Sequence, residues 1–347
     1  MRETGLHLIA TAQACMELLP SIKLSNLATG RTERTEAEYL RLAEALIQRS
    51  STYPKGLVQA VQDTHRSSTF FKRMSALKFY FRRKVELYFA QLSEAPEAEW
   101  PRLVEVISTL HLQLLDLTNL QQQGMTQPRR KRKSKRQSLK GLPPDWRIQL
   151  CQRGANGKYF LALVVSSLLG ARPSELAKGI RVYVAHDKDL NQTVLRLHAE
   201  GVKVKQQQGQ PNRYVSYAID DLDPLVRTLL HEVNRSGRKE LMVAIENPGN
   251  YSKEIERLSR SLWPMHPQTI TAYCFRHQWS ADLKRAGNAD AASRGLGHRS
   301  AKTRRNYGTA NQAHGAHCLR PISIEADQPV IGLRSQFCPD LITPQAE

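Results

Sequence analysis

The sequence predicts a mainly α fold with a small antiparallel β-sheet (α+β), in two folded halves, and three observations carry that expectation. Residues 35–123 hold apolar residues at helical spacing and no strand signal of similar strength. A basic run over 129–140 then interrupts the chain with a composition that cannot build a core. Beyond it, two alternating stretches flank a turn-like polar segment among further helices, the pattern of a β-hairpin. At 347 residues and 40% apolar content the chain is long enough for two cores.

In chain order, Thr35-Glu36-Ala37-Glu38 has the S/T-x-x-E form of a capping box ahead of Tyr39, Leu40, Leu42, Ala43 and Leu46, so a helix is expected to begin there. From Ser67 to Lys84, Phe70, Met74, Leu77 and Phe81 share one helical face, while Lys72, Ser75, Phe79, Arg82 and Arg83 fall on the opposite one. Seven Lys or Arg and no acid occur between Arg66 and Lys84, which suits a helix facing a polyanion. Leu103, Ile107, Leu110, Leu114 and Leu117 alternate steps of four and three and line one further stripe. These elements make residues 1–127 a helical domain.

Residues 128–142 read as a basic linker. Arg129, Arg130, Lys131, Arg132, Lys133, Lys135, Arg136 and Lys140 place eight positive charges in twelve residues without an acid. Such a run can serve as a nuclear localisation signal, but between two folded halves it suits a strap along phosphates. After Gly141-Leu142-Pro143-Pro144, the second domain, residues 143–318, opens with helices. Tyr159–Leu169 is an apolar helix ending at Gly170, and Pro173 suits the first turn of the next one. Thr193–Leu197 and Tyr214–Ala218 alternate on either side of Gln206–Asn212 and form the expected hairpin. Helical pattern returns through Leu229 and over Thr269–Gly287. Past Gly308 it fades, and residues 319–347, broken by Pro321, Pro329, Pro339 and Pro344, read as a tail that could pack on a neighbouring protomer.

Charge narrows the partner. With 51 Lys and Arg against 32 Asp and Glu, a net charge of +19 and a pI near 9.9, the chain is suited to a polyanion, nucleic acid first. No apolar run approaches the length of a membrane span, and no basic-then-apolar signal stands at Met1. The five cysteines, Cys15, Cys151, Cys274, Cys318 and Cys338, are odd in number, scattered and never in a C-x-x-C pair, which argues against a disulfide framework or zinc ribbon and fits a cytoplasmic protein. His314-Gly315-Ala316-His317-Cys318 lacks the second half of a metal site and reads as surface tail.

Four short motifs then follow one another in the second half: Gly170-Ala171-Arg172-Pro173-Ser174-Glu175-Leu176; a lysine in the hairpin; Tyr273-Cys274-Phe275-Arg276-His277; and Leu296-Gly297-His298, with Tyr307 nine residues beyond His298. In this order, with 22 residues from Arg276 to His298, the stretch from about 143 to 310 resembles the catalytic domain of the tyrosine recombinases, or phage-type integrases. The single motifs are weak; R-x-x-E-L also describes an ordinary i,i+3 helix pair. Their combination is specific.

The resemblance implies a role for each residue. Arg172 and Arg276 would grip the non-bridging oxygens of a scissile phosphate, which guanidinium forks match better than ammonium groups do. Their charge would do the work of a metal ion, so no cofactor is implied. Glu175 would orient Arg172 or a neighbour, and His298 would donate a hydrogen bond to the phosphate. Lys203, following Gly201-Val202 at the hairpin tip, would protonate the leaving 5′ oxygen, with Lys205 the alternative. Tyr307 would be the nucleophile of a 3′-phosphotyrosyl intermediate. His277, beside Arg276 on its helix, points about 100° away and reads as structural.

One position departs from the pattern: Tyr273 stands where most family members have histidine, and a phenol of reference pKa ~10 cannot be a base at neutral pH, though it can donate to phosphate. Hairpin-forming telomere resolvases share that substitution. The implied partner is duplex DNA at specific sites, clamped by both halves, with Lys72, Arg82, Arg83, Arg130, Lys131, Arg132 and Lys133 as contact candidates. The resemblance implies a homotetramer on paired sites for an integrase of a mobile element, or a dimer for a telomere resolvase. A catalytically weak DNA-binding accessory protein on the same fold is the remaining alternative.

Overall fold

Among the described residues, five α-helices build the first of the two units into which the chain divides, residues 1–132. The computed structural model describes residues 2–18, 32–129, 135–202, 204, 209–221, 223–238, 240–287, 289–313 and 317–332. In the first unit these form α1 (Arg2–Leu18), α2 (Glu33–Ser50), α3 (Gly56–Gln62), α4 (Ser67–Glu94) and α5 (Trp100–Gln123). The expected stripes form the core: Phe70, Met74, Leu77 and Phe81 of α4 are buried with Ile107, Leu114 and Leu117 of α5, and Leu103 and Leu110 pack against them. Burying each such side chain stabilises the fold by about 1.5–3 kcal/mol. Helix α2 starts ahead of the expected box, because Thr32 caps it and its hydroxyl accepts from the Thr35 amide. Helix α4 runs ten residues past Lys84 to Glu94, carried by buried Val85 and Leu92. Helix α1 escaped the sequence reading altogether.

The second unit comprises residues 133–347. Its helices are α6 (Trp146–Arg153), α7 (Phe160–Leu169), α8 (Pro173–Lys178), α9 (Pro224–Arg235), α10 (Pro248–Leu262), α11 (Ala272–Arg285) and α12 (Ala289–Gly295). Its strands are β1 (Ile180–Asp187), β2 (Gln192–Glu200), β3 (Asn212–Ala218), β4 (Glu240–Val243) and β5 (Ser323–Ala326), in one antiparallel sheet of order β4-β1-β2-β3-β5. The fold is thus mainly α with a small antiparallel sheet.

The second core is organised on α7, which is apolar all round and buried from Ala162 to Leu169. Helix α7 ends at Gly170 in the left-handed region (φ 58°), as the sequence indicated. Trp279 of α11, fully buried, packs in the same cluster with Val215 and Tyr217 of β3. Two polar fasteners cross it: Tyr217 donates to the Leu168 carbonyl at 2.6 Å, and Arg147 of α6 pairs with Asp282 of α11 at 2.7 Å, both side chains buried.

Two boundaries differ from the sequence reading. The end of the basic run belongs to the second unit: Gln137–Leu139 forms a 3₁₀ turn, Leu139 and Leu142 enter the core, and the Ser138 hydroxyl donates to Gln268 at 3.1 Å. The stretch expected as tail is also partly built in. Ser323–Ala326 pairs with β3 as β5, places Ile324 against the core and covers what would be an open sheet edge. Four residues between Pro321 and Pro329 are too few to announce a strand by alternation. Strands β1 and β4 and helix α10 were likewise not anticipated.

Candidate active site

Arg172 stands where α7 turns into α8. It is the N-cap of α8, with Pro173 in the first turn, and Glu175 Oε2 accepts from the Arg172 amide at 2.7 Å. The same carboxylate takes one hydrogen bond from the Arg172 guanidinium. Its other partner was not foreseen: Arg213 of β3 donates through Nη1 and Nη2 to Oε1 and Oε2, both at 2.8 Å. Glu175 is fully buried. Burial alone would raise its carboxyl, but Arg213, then Arg276 and Arg172, hold it well below the usual range. A signal for Arg213 existed, since it shares the inward face of β3 with Val215 and Tyr217, and a charged residue on that face requires a buried partner.

Arg276 enters from α11 and is fully buried. It donates to the carbonyls of Gly170 (3.0 Å) and Leu296, and its Nη2 lies 3.3 Å from His298 Nε2. Burial first, and Arg172 second, lower its pKa to about 10, which leaves it charged at neutral pH. His298 is pushed down to about 2 by burial and by Arg276 and Arg172, so its imidazole is neutral. With Nε2 accepting from Arg276, the proton resides on Nδ1, which is buried and without a partner among the described residues.

Tyr307 follows a 3₁₀ turn, Ala301–Asn306, and is half-buried. Its ring centroid lies 5.0 Å from Arg276 Cζ, 5.1 Å from the His298 ring and 5.3 Å from the His277 ring. Burial would raise the phenol, yet the charges and hydrogen bonds of Arg276 and Arg172 outweigh it and hold the phenol below the usual tyrosine range. His277, expected to point away, packs on this ring and is lowered to about 4 by burial and by Arg136 and Arg276. Lys284, one helical stretch further along α11, donates to the carbonyls of Arg304 (2.9 Å), Tyr307 (3.4 Å) and Gly308 and so fastens the segment carrying the phenol. A lone lysine near a helix end gives no sequence signal for that task.

The structure therefore brings Arg172, Glu175, Arg276, His277, His298 and Tyr307 together and adds Arg213 and Lys284. Tyr273, on the first turn of α11, is 42% exposed at the rim, near enough to act on the Arg172 charge. Lys203 and Lys205 lie outside the described residues; the neighbouring Gly201 and Val202 line a cleft of about 380 Å³ together with Arg172, Arg213 and His298. Arg130, Lys131, Arg132 and Lys133 lie outside the described residues as well, as do residues 314–316 of the His314–Cys318 stretch and residues 333–347 with Cys338. In the first unit Lys72 pairs with Glu38, Arg82 pairs with Glu86 at 2.8 Å, and Arg83 is exposed. Pairing with acids reduces the charge that Lys72 and Arg82 offer to a polyanion.

Chemically, the arrangement is an anion site of guanidiniums beside an acidified phenol and a neutral imidazole donor. No protein-family model, curated protein or solved structure matches the chain. No helix among the described residues is long and apolar enough to cross a membrane.

Proposed function

We propose that the protein is a site-specific DNA recombinase of the tyrosine type, an integrase of a mobile element acting in the cytoplasm on duplex DNA. The observation that carries the reading is the placement of the Tyr307 ring 5.0 Å from the buried Arg276 guanidinium, with Arg172 also near enough to lower the phenol. In the reaction, Tyr307 Oη gives up its proton to solvent and, as the phenolate, attacks the scissile phosphorus as the bond to the 5′ oxygen breaks. The products are a 3′-phosphotyrosyl strand and a 5′ hydroxyl that takes its proton from Lys203. Arg172 and Arg276 neutralise the non-bridging oxygens, and His298 donates a hydrogen bond to one of them. Attack by a second 5′ hydroxyl reverses the step and rejoins the strands. Paired sites call for a homotetramer, and no cofactor takes part in these steps.

The test is a nicked suicide duplex, which traps the covalent product. Wild-type protein is expected to form an adduct that disappears in Tyr307→Phe while DNA binding persists. Binding without any wild-type adduct would leave a DNA-binding accessory protein instead. Tyr273 at the rim favours one second reading, a hairpin telomere resolvase of the same chemistry; a dimer forming closed hairpin ends from one palindromic site would select it.

A further inference from the structure

Glu175 sits among three guanidiniums, and how it divides itself between them governs what remains for a phosphate. Arg213 spends both terminal nitrogens on the two carboxylate oxygens, at 2.8 Å each, with side chains 2% and 0% exposed. Arg172 gives its amide to Oε2 at 2.7 Å and one guanidinium contact to Oε1 and, 15% exposed, lines the cleft near enough to lower the Tyr307 phenol. Without Arg213 the carboxylate would keep its bonds from the Arg172 amide at Oε2 and the Arg172 guanidinium at Oε1 and would gain a free lone pair on each oxygen, open to that guanidinium, for which a bidentate pair is the preferred geometry.

We infer that Arg213 is a positioning residue that, by occupying Glu175, keeps the Arg172 guanidinium turned toward the phosphate and the phenol. The inference rests on the strand-transfer reading and adds a residue to it. The placement of Arg213 is set by the sheet: it lies in register with Ala199 of β2 on one side and Ala326 of β5 on the other, so both neighbours fix the strand from which it projects. Gly297 makes room for it. The backbone there has φ 65°, and a Cβ would stand 3.3 Å from Arg213 Nη1. The balance of charge points the same way, since Arg172, Arg213 and Arg276 against Glu175 give three positive and one negative charge, a net of +2. Replacing Arg213 leaves +1 and an anion free to take Arg172. Replacing both Arg213 and Glu175 by neutral residues restores +2.

The experiment compares wild type, Arg213→Met and the double variant Arg213→Met/Glu175→Gln in two measurements. One is single-turnover adduct formation on the nicked duplex. The other is ionisation of Tyr307, read as the ultraviolet phenolate difference between each protein and its Tyr307→Phe counterpart. Arg213→Met should cleave about 10- to 100-fold more slowly, the range typical when a group that orients catalytic ligands is lost. Its phenol should ionise at higher pH than in wild type, and the double variant, which lacks the competing carboxylate, should recover part of both losses. Should the unpaired carboxylate unfold Arg213→Met, which a thermal melt registers, the double variant must still form adduct and hold Tyr307 below the ordinary tyrosine range. Wild-type behaviour of a folded Arg213→Met, or a double variant as slow as the single one, overturns the inference. A wild type that forms no adduct overturns the strand-transfer reading instead, and an unchanged Tyr307 ionisation in Arg213→Met then separately overturns the positioning role.

Discussion

Removing the Arg276 guanidinium is the sharpest perturbation of the proposed centre. Its charge lies 5.0 Å from the Tyr307 ring and is fully buried. At an effective dielectric constant of about 20, an opposite charge at that distance is worth roughly 3 kcal/mol, or about two orders of magnitude in rate for a phenolate nucleophile. Loss of its hydrogen bonds to the phosphorane oxygens costs on the order of a hundred- to a thousandfold, and the two effects overlap because one group supplies both. Arg276→Ala is therefore expected to slow cleavage by about a thousandfold or more. Arg276→Lys keeps the charge but not the fork and should fall between. The assay is single-turnover adduct formation on a nicked duplex. Because Arg276 also satisfies the carbonyls of Gly170 and Leu296, a structural collapse must be distinguished from a chemical loss. Added guanidinium ion should recover part of the rate in a folded Arg276→Ala protein. Near-normal cleavage by that folded variant would refute the placement of Arg276 in the reaction.

Further outcomes can be stated. Arg147→Met leaves the buried Asp282 carboxylate without its cation and should destabilise the second unit by about 3–5 kcal/mol in urea unfolding, with much of the loss recovered in Arg147→Met/Asp282→Leu; an unchanged midpoint would mean the pair is dispensable. His277 and His298 are depressed to about 4 and about 2 from 6.5, so the unfolded chain binds protons that the folded one refuses. Their contribution is intact above pH 6.5 and is lost as pH falls below it, by up to about 1.4 kcal/mol per pH unit for each residue. His277→Gln/His298→Gln should flatten the fall between pH 6.5 and about 4, and an unchanged slope would show that neither histidine carries it. Neutralising Lys131, Arg132 and Lys133 to Gln should make the salt dependence of DNA binding shallower by about 0.9 per lost contact, whereas an identical slope would mean that the run does not touch DNA.

The legible parts of this chain are those where one residue type answers to one physical demand. Phe70, Met74, Leu77 and Phe81 had to face a core because no other spacing buries them together, and Gly170 ahead of Arg172-Pro173 could only end one helix and begin the next. Of the ordered motifs, the fold sets Arg276, His298 and His277 at 5.0, 5.1 and 5.3 Å from the Tyr307 ring, while the hairpin lysine lies outside the described residues. What was missed depends on partners distant in sequence. Arg213 becomes meaningful only once β3 lies beside α8, and β5 only once β3 presents an open edge. Among the described residues Lys284 donates to backbone carbonyls only, so no side-chain pattern betrays it. His277 was misjudged because angular separation on a helix says where a side chain starts, not what a later segment lays against it.

Tyr273 leaves the question of which group accepts the Tyr307 proton, and the electrostatics narrow the answer. Neither neighbouring imidazole is suited to hold it: His277 and His298 are depressed to about 4 and about 2, so both would surrender a proton to water at neutral pH. The charges that make them poor bases are the same ones that make the phenol a better acid, since Arg276 appears among the causes of all three shifts. On the proposed reading, a centre built this way would substitute an acidified nucleophile for a paired base. The guanidiniums would stabilise the phenolate before attack and the phosphorane after it, so that the charge would move from one bound oxygen to another within a fixed field. On that reading tyrosine at position 273 would be tolerable, provided Arg172 and Arg276 keep their charges free, which is the condition proposed for the buried Glu175–Arg213 pair.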